Sequence, residues 1–466
     1  MSSVPEAVKL DEAAFTELAR SFRGELIRPE DPAYHERRSV WNGSIDRSPA
    51  LIARCQHVAD VIAAVTFARR TGVRVAVRGG GHSFPGLSVC DRGLVIDLGP
   101  MKGIRVDPET RTATAQAGVL IGELDGATQE HRLAVPAGIV THTGVAGLTL
   151  GGGIGWLHRK HGLTIDGLLS VDLITAEGEH VRASERENPD LFWGVRGGGG
   201  NFGVVTEFEF RARPVGPIVL AGPIFWRMED SPRVLRFYRD WISDLPDELM
   251  TIVILRKAPS LPYVPAELHG KPVVGVACCY AGPVEEGERA VQPIRSFGSP
   301  VLDLCQPKPF TEHQAMFDSS YPHGRWYYFR ACDVAALTDE VIDITVEHAA
   351  RIKSPLTSFP IWQMGGAVSR VADDETAFSG RGAGHTFNIN GITESADGFD
   401  DEREWVRSFW SDLEPHHTTT YVNFLMDEGE ERIREAYGAE KYDRLRKLKR
   451  KYDPDNLFRL NQNIPP

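Results

Sequence analysis

Hydrophobic and polar positions follow two different spacings in the first half of the chain. Residues 57–70 place apolar side chains three and four positions apart, which predicts a helix. Short runs that are rich in β-branched residues or alternate apolar with polar positions predict strands, and 168–183 predicts a hairpin with its turn at Glu177 and Gly178. The predicted strand segments are 73–77, 93–98, 112–118, 168–183 and 204–215.

The pattern changes after a proline-rich stretch at 213–223, which marks a predicted domain boundary. Strand-like runs at 251–255 and 271–280 are followed by an amphipathic helical pattern at 333–352. This combination favours an antiparallel sheet backed by helices. Near the C-terminus, residues 428–452 form a charged amphipathic helical region.

Composition narrows the possible functions. The 466 residues are 42% hydrophobic and 25% charged, which is typical of a globular protein. A net charge of −12 without a long basic block argues against nucleic acid or an anionic membrane as partner. Apolar runs are too short to span a bilayer, and the first fifteen residues lack a secretory pattern. We therefore expect a cytoplasmic protein whose six cysteines are mostly buried thiols.

Three glycine-rich segments at 78–83, 144–155 and 194–205 suggest close contact between backbone and ligand. The structural alternative is a tight turn for the first segment and a flexible loop for the second. A P-loop is excluded because GxxxxGK[ST] is absent, and GHSFPG at 81–86 does not match a nucleophile elbow. The GxGxxG at 198–203 precedes a predicted strand rather than a helix, so it does not fit a dinucleotide fingerprint.

The motifs RGGGHS, TGVAGLTLGGGIGW, FWGVRGGGGNFGVV, YVNF and DPDNLFRLNQNIPP occur in an order that resembles berberine-bridge-enzyme-like flavoproteins of the vanillyl-alcohol-oxidase type. The resemblance covers residues from about 30 to the C-terminus. It implies an α+β, two-domain FAD-binding fold with an inserted substrate domain of antiparallel sheet backed by helices. The expected boundaries are 1–215 and 421–466 for the FAD-binding domain and 216–420 for the substrate domain.

The resemblance also implies that His82 attaches covalently to the 8α-methyl carbon of the flavin. Val140 stands where many members carry a cysteine that forms a second link, so a single histidyl bond is expected. Leu148 and Arg370 replace a histidine and a glutamate base found in some members. Cys90 is expected to be a packing residue.

The resemblance assigns further residues to the cofactor and to catalysis. Tyr421 is the first choice as general base, and Tyr421→Phe is expected to slow flavin reduction about 10²–10⁴-fold. Thr143 is expected to leave access for oxygen open. The other expected catalytic residues are Asn423 and Arg381, together with His385, which is named for its place four residues after Arg381 rather than for a family motif; a non-catalytic histidine is the alternative there. The expected cofactor-binding residues are Arg78, Gly79, Gly80, Gly81, His82, Ser83, Gly86, Gly138, Thr141, His142, Thr143, Gly144, Gly147, Gly151, Gly152, Gly155, Trp156, Asn201, Gly203, Val204, Tyr421, Asn423 and Asn461.

The expected function is an oxidase that transfers hydride from an alcohol or amine carbon of a small organic molecule to flavin N5 and uses molecular oxygen to form hydrogen peroxide. No metal is expected. Two alternatives remain at this stage: a flavin dehydrogenase with another electron acceptor, and a non-catalytic flavin-binding protein. The aromatic residues Trp326 to Phe329 and Trp362 either form core strands, which we favour, or line an aromatic pocket.

Overall fold

The computed structural model describes residues 11–466, so part of the N-terminal segment without a secretory pattern lies outside it. Two sheets form from the first half of the chain. The first has the order β1-β2-β4-β3, in which β4 pairs parallel with β2 and β3. The second is antiparallel with the order β5-β6-β10-β8-β9. These strands are β1 (Glu25–Ile27), β2 (Leu51–Arg54), β3 (Val75–Arg78), β4 (Leu94–Asp97), β5 (Ile104–Asp107), β6 (Thr112–Gln116), β8 (Leu168–Ile174), β9 (His180–Ser184) and β10 (Val204–Arg211), and the short β7 (Leu133–Ala134) pairs with β11 (Arg213–Pro214).

A large antiparallel sheet follows, with the order β15-β12-β14-β13-β18-β19-β17-β20 and with β16 paired to β12. One of its faces packs against helices and the other faces the first half of the chain. Its strands are β12 (Ile218–Arg227), β13 (Leu249–Lys257), β14 (Pro272–Tyr280), β15 (Leu302–Asp303), β16 (Gln306–Pro309), β17 (Trp326–Val334), β18 (Ser358–Gln363), β19 (His385–Thr393) and β20 (His417–Thr419).

The α-helices cover the sheets and complete the C-terminal region. They are α1 (Glu12–Ser21), α2 (Tyr34–Arg38), α3 (Val58–Thr71), α4 (Ile121–Gln129), α5 (Val145–Leu150), α6 (His158–His161), α7 (Pro189–Val195), α8 (Ser231–Trp241), α9 (Val284–Arg295), α10 (Phe310–Gln314), α11 (Asp339–Ala349), α12 (Ala367–Arg370), α13 (Phe399–Leu413), α14 (Glu430–Tyr437) and α15 (Ala439–Tyr452). Within residues 11–466, no helix combines the length and the apolar character needed to cross a membrane.

The period of the hydrophobic pattern located most elements correctly. The predicted helix at 57–70 is α3, the predicted hairpin is β8 paired with β9, and the strand after GxGxxG is β10. Two helix predictions were wrong in their bounds. Residues 333–334 belong to β17, and α11 begins only at Asp339, after Thr338 accepts a hydrogen bond from the backbone of Val341. The C-terminal helical region divides into α14 and α15 at Gly438, whose φ of +74° interrupts the helix.

Candidate active site

A cavity of about 330 Å³ lies where the two halves of the fold meet. One wall is made by the glycine-rich loops of the first half and by the C-terminal tail. The opposite wall is made by the large sheet, whose contributing residues include Phe329 on β17, Trp362 on β18 and Asn388 on β19. Segments more than 300 residues apart in the chain therefore contribute to one site.

Fifteen of the expected site residues line this cavity. They are Gly79, Gly80, Gly81, His82, Ser83, Gly138, Thr143, Gly144, Gly147, Gly151, Gly203, Val204, Tyr421, Asn423 and Asn461.

The glycines in and around the cavity have two different structural roles. A Cβ atom built on Gly147 or Gly200 meets nothing within 4 Å, so a side chain there would enter free space. Gly147 and Gly200 both line the cavity. By contrast, a Cβ on Gly153 or Gly155 would overlap Thr164 or the carbonyl of Ala137. The second glycine cluster thus serves two purposes: part of it borders the ligand space, and part allows close packing of the chain against itself.

His82 lies in a group of three histidines. Its Nε2 atom is 2.7 Å from Nδ1 of His142, and its ring stacks on Trp41 with ring centroids 4.8 Å apart. Burial lowers the pKa of His82 well below its usual value, and the nearby His142 and His323 lower it further. The imidazole is therefore neutral at pH 7, which is the state in which a ring nitrogen is nucleophilic.

The loop that carries His142 is fixed by a contact with the inserted region. Asp318 accepts hydrogen bonds from the backbone N–H of Thr141 at 2.8 Å and from its hydroxyl. Burial lowers the pKa of His142, whereas Asp318 raises it. Neither Thr141 nor His142 lines the cavity, and His142 acts on it through its hydrogen bond to His82.

Tyr421 is buried and bonded to two donors. Its hydroxyl oxygen accepts from the backbone N–H of Gly153 and from Nδ2 of Asn423, each at 2.8 Å. Since both partners are donors, neither accepts the hydroxyl hydrogen of Tyr421, which remains available for another acceptor. Burial raises the pKa of Tyr421 to about 12, although the two hydrogen bonds act in the opposite direction. At neutral pH the side chain is a phenol, which makes it a hydrogen-bond donor and a poor proton acceptor.

Two expected catalytic residues do not line the cavity. Arg381 is 3% exposed and forms a two-point ion pair with Asp166, at 2.7 and 3.1 Å. This buried ion pair with Asp166 gives Arg381 a structural role. His385 is the first residue of β19 and stands opposite Val334. It lies on the same strand face as Phe387 and Ile389, which pack into the helix-covered core, so it faces away from the cavity.

The remaining expected cofactor residues support the walls without lining them. Arg78 forms an ion pair with Asp97 at 3.0 Å, and Asn201 bonds to Gly198, Gln462 and Ile464 to hold the third glycine segment against the tail. The other members of this group are Gly86, Gly152, Gly155 and Trp156.

Sequence reasoning missed several cavity residues or favoured another role for them. Phe329 and Trp362 line the cavity although a core role was favoured, and both are also buried. Asn388 was not identified, but strict alternation along β19 places it on the face opposite to His385. Gly199 and Gly200 belong to the third glycine segment, and the cavity residues that no sequence pattern identified include Trp41, Ser88, Tyr321, Asn388 and Gln462.

Comparison with known proteins agrees with this geometry. A family model described as "FAD binding domain" matches residues 49–184, and one described as "Berberine and berberine like" matches residues 420–465. The uncharacterized FAD-linked oxidoreductase YgaK of Bacillus subtilis is 33% identical over 462 residues, which cover 95% of this chain and 97% of that protein. The chain belongs to the berberine-like FAD-linked oxidoreductases.

Two further relatives have named substrates. The (R)-6-hydroxynicotine oxidase of Paenarthrobacter nicotinovorans is 30% identical over 462 residues, covering 96% of this chain and 97% of the relative. The crystal structure of 6-hydroxy-D-nicotine oxidase from Arthrobacter nicotinovorans superposes with a TM-score of 0.88 at 28% identity, covering 98% of this chain and all of the other. This berberine-like oxidoreductase therefore has the vanillyl-alcohol-oxidase type of FAD-binding fold.

The cavity of this berberine-like oxidoreductase fits FAD. Side-chain-free surface at Gly147 and Gly200 leaves room for a large flat group. In the lining of the same cavity, Ser88 Oγ and Asn461 Oδ1 are buried without a hydrogen-bond partner among the described residues. Polar atoms in this state favour a ligand that carries hydroxyl, amide or phosphate groups. The residues that would hold FAD are thus those of the three glycine segments and the tail.

Proposed function

We propose that the protein is a flavin-dependent oxidase whose FAD is tethered through His82 alone. One observation carries the tether: a neutral, half-buried His82 lines the cavity and is held by His142 and Trp41. Val140, which also lines the cavity, has no thiol for a second bond. The FAD-binding domain would comprise 1–215 and 421–466 and the substrate domain 216–420.

FAD, when bound, supplies a two-electron acceptor for a hydride and passes the electrons to molecular oxygen. The chain's own residues then have defined tasks. The substrate would lie between the cofactor and the wall formed by Phe329, Trp362 and Asn388. Tyr421 would donate its free hydroxyl hydrogen to the cofactor or the substrate. Asn423 holds the Tyr421 side chain in place by donating a hydrogen bond to its hydroxyl oxygen. Because Tyr421 is protonated at neutral pH, its proposed role is orientation rather than proton abstraction.

The test is to purify the protein, precipitate it with acid and measure flavin absorbance in the pellet and the supernatant. Colour that stays with the polypeptide, and that moves to the supernatant in His82→Ala, supports the tether. Colour released from the unmodified protein would leave an FAD oxidoreductase without a covalent bond. Peroxide formation in air with substrate then separates an oxidase from a dehydrogenase that uses another acceptor.

A further inference from the structure

The sheet side of the cavity contains two buried polar groups that have no partner. Trp362 is 3% exposed and its indole Nε1 makes no hydrogen bond with any described residue. Asn388 is 5% exposed and its side-chain oxygen is likewise unpaired. Leaving buried polar atoms unpaired is costly, because each has lost its hydrogen bonds to water without gaining a partner in the protein. Two such atoms on one cavity wall indicate that a ligand completes their hydrogen bonds.

The two groups lie close enough to act on one functional group. Trp362 stands opposite Thr386 in the pairing of β18 with β19, and Asn388 is two residues further along β19. Trp362 and Asn388 therefore share a face as diagonal neighbours, which are about 7–8 Å apart in a sheet. The indole N–H only donates, whereas the amide oxygen of Asn388 accepts. A hydroxyl group, which accepts and donates at once, satisfies both.

The electrostatics of the sheet wall, where the substrate would lie, disfavour a charged substrate. Among the described residues, none that lines the cavity is Asp, Glu, Lys or Arg. An ammonium or carboxylate group would lose its hydration there without a counter-charge, and burial of an unpaired ion is strongly unfavourable. Asp318, the carboxylate that acts on His142, is already bonded to Thr141. The cavity thus favours an uncharged molecule over an amine that is protonated at neutral pH.

The same wall is too apolar for a sugar. Besides Trp362 and Asn388 it presents Phe329, Pro360 and Tyr321, and the hydroxyl of Tyr321 is already bonded to Asn390. A sugar would bring more hydroxyl groups than these residues can satisfy, and each unpaired one would weaken binding. Flat aromatic surfaces suit this wall better, because aromatic rings pack face to face or edge to face.

We propose that the substrate is an uncharged aromatic alcohol whose hydroxyl accepts a hydrogen bond from Trp362 and donates one to Asn388. This inference rests on the proposed oxidase function. In the reaction, the C–H and O–H bonds of the carbinol group break and a C=O bond forms. The carbon loses one proton and two electrons together as a hydride, and the hydroxyl group releases its proton. Molecular oxygen takes up two electrons and two protons and becomes hydrogen peroxide.

The experiment measures binding through changes in the visible spectrum of the flavoprotein under anaerobic conditions. Benzyl alcohol and 2-naphthalenemethanol are compared with benzylamine, toluene and xylobiose at pH 7. We expect the alcohols to bind at least tenfold more tightly than the amine or the sugar and to reduce the flavin. Tighter binding of the amine or the sugar, or no response to the alcohols from protein that carries flavin, would overturn the substrate class. Absence of flavin would instead count against the proposed function.

Two variants test the residues themselves. Trp362→Phe removes the donor and keeps an aromatic ring, so it should raise the Kd of benzyl alcohol about fivefold and change that of toluene less than twofold. The matched control is Trp326→Phe, since Trp326 packs on Phe399 at the other face of the sheet. Equal Kd values for benzyl alcohol in Trp362→Phe and the control would overturn the assignment. Asn388→Asp adds a charge and should improve benzylamine binding at least tenfold, which tests the site even if Trp362→Phe does not fold.

Discussion

The Nε2 atom of His82 lies 2.7 Å from the Nδ1 atom of His142, so the two imidazoles share one hydrogen bond. In any neutral pair only one of these nitrogens carries the proton. Asp318, which raises the pKa of His142, favours the arrangement in which His142 takes up positive charge. If the proposed tether forms through Nδ1 of His82, His142 would be the residue placed to accept the proton that His82 loses.

His142→Ala should therefore slow covalent attachment of FAD to His82 at least tenfold while leaving non-covalent binding intact. The measurement is the time course of acid-stable flavin when apo-protein is mixed with FAD. His323→Ala is the control, because the His323 ring is 5.5 Å from that of His82 by centroids and shares no hydrogen bond with it. Identical time courses for His142→Ala and unmodified protein would contradict this role.

Tyr421→Phe should slow anaerobic flavin reduction about fivefold to tenfold, because the loss of one hydrogen bond costs about 1 kcal/mol. This is less than the 10²–10⁴-fold expected for a general base. With a pKa of about 12, only about one Tyr421 in 10⁵ is ionised at pH 7. A base with that pKa would give rates that rise about tenfold per pH unit between 7 and 10. Stopped-flow reduction across this range should be nearly flat, and a steep rise would restore Tyr421 as the base.

Substitutions at Gly147 and Gly155 should affect different properties, FAD binding in the first case and folding stability in the second. Gly147→Leu directs a side chain into the cavity, so we expect folded protein that binds little FAD, since a Cβ there meets nothing within 4 Å. Gly155→Ala places a Cβ against the carbonyl of Ala137, so we expect loss of folding stability. Thermal unfolding of apo-protein and flavin content after reconstitution distinguish the two effects. An unchanged flavin content in Gly147→Leu would mean that the cofactor does not pass this surface.

Asp125 should make the protein less stable as the pH rises from about 4 to about 7. Burial raises its pKa to about 7, although Gln314 donates a hydrogen bond to it and acts in the other direction. Between its unfolded and folded pKa values the carboxyl is neutral when folded and ionised when unfolded, so unfolding releases a proton. The stabilisation is complete below the unfolded pKa and is lost by about pH 7.

Asp125→Asn should remove that dependence and unfold at a higher denaturant concentration than unmodified protein at pH 8. The effect is on the order of a few kcal/mol, since each unit of pKa shift corresponds to about 1.4 kcal/mol. Denaturant midpoints at pH 5 and pH 8 provide the measurement. If the variant retains the full pH dependence of the unmodified protein, that dependence belongs to another group. Asp333 is then the next residue to test, because burial also raises its pKa to about 7.

The comparison of His385 with Asn388 shows why a motif alone does not locate every site residue. The sequence places both in one short segment, and the chemistry of an imidazole makes His385 the more attractive candidate. Side chains alternate along β19, so a shift of one residue decides which of them faces the ligand. The pairing of β19 with β17 and β18 fixes that choice, and it is set by contacts with strands more than twenty residues away in the chain.

The sequence by itself determined the fold class, the FAD-linked oxidoreductase family and the glycine segments around His82, because these depend on local spacing and on motifs several residues long. Tertiary structure alone decided which groups meet. It joined Arg381 to Asp166, buried Tyr421 so that it stays a phenol although two groups donate to its oxygen, and set Trp362 and Asn388 unpaired on the cavity wall. Those properties follow from burial and from partners distant in the chain, which a local pattern does not encode.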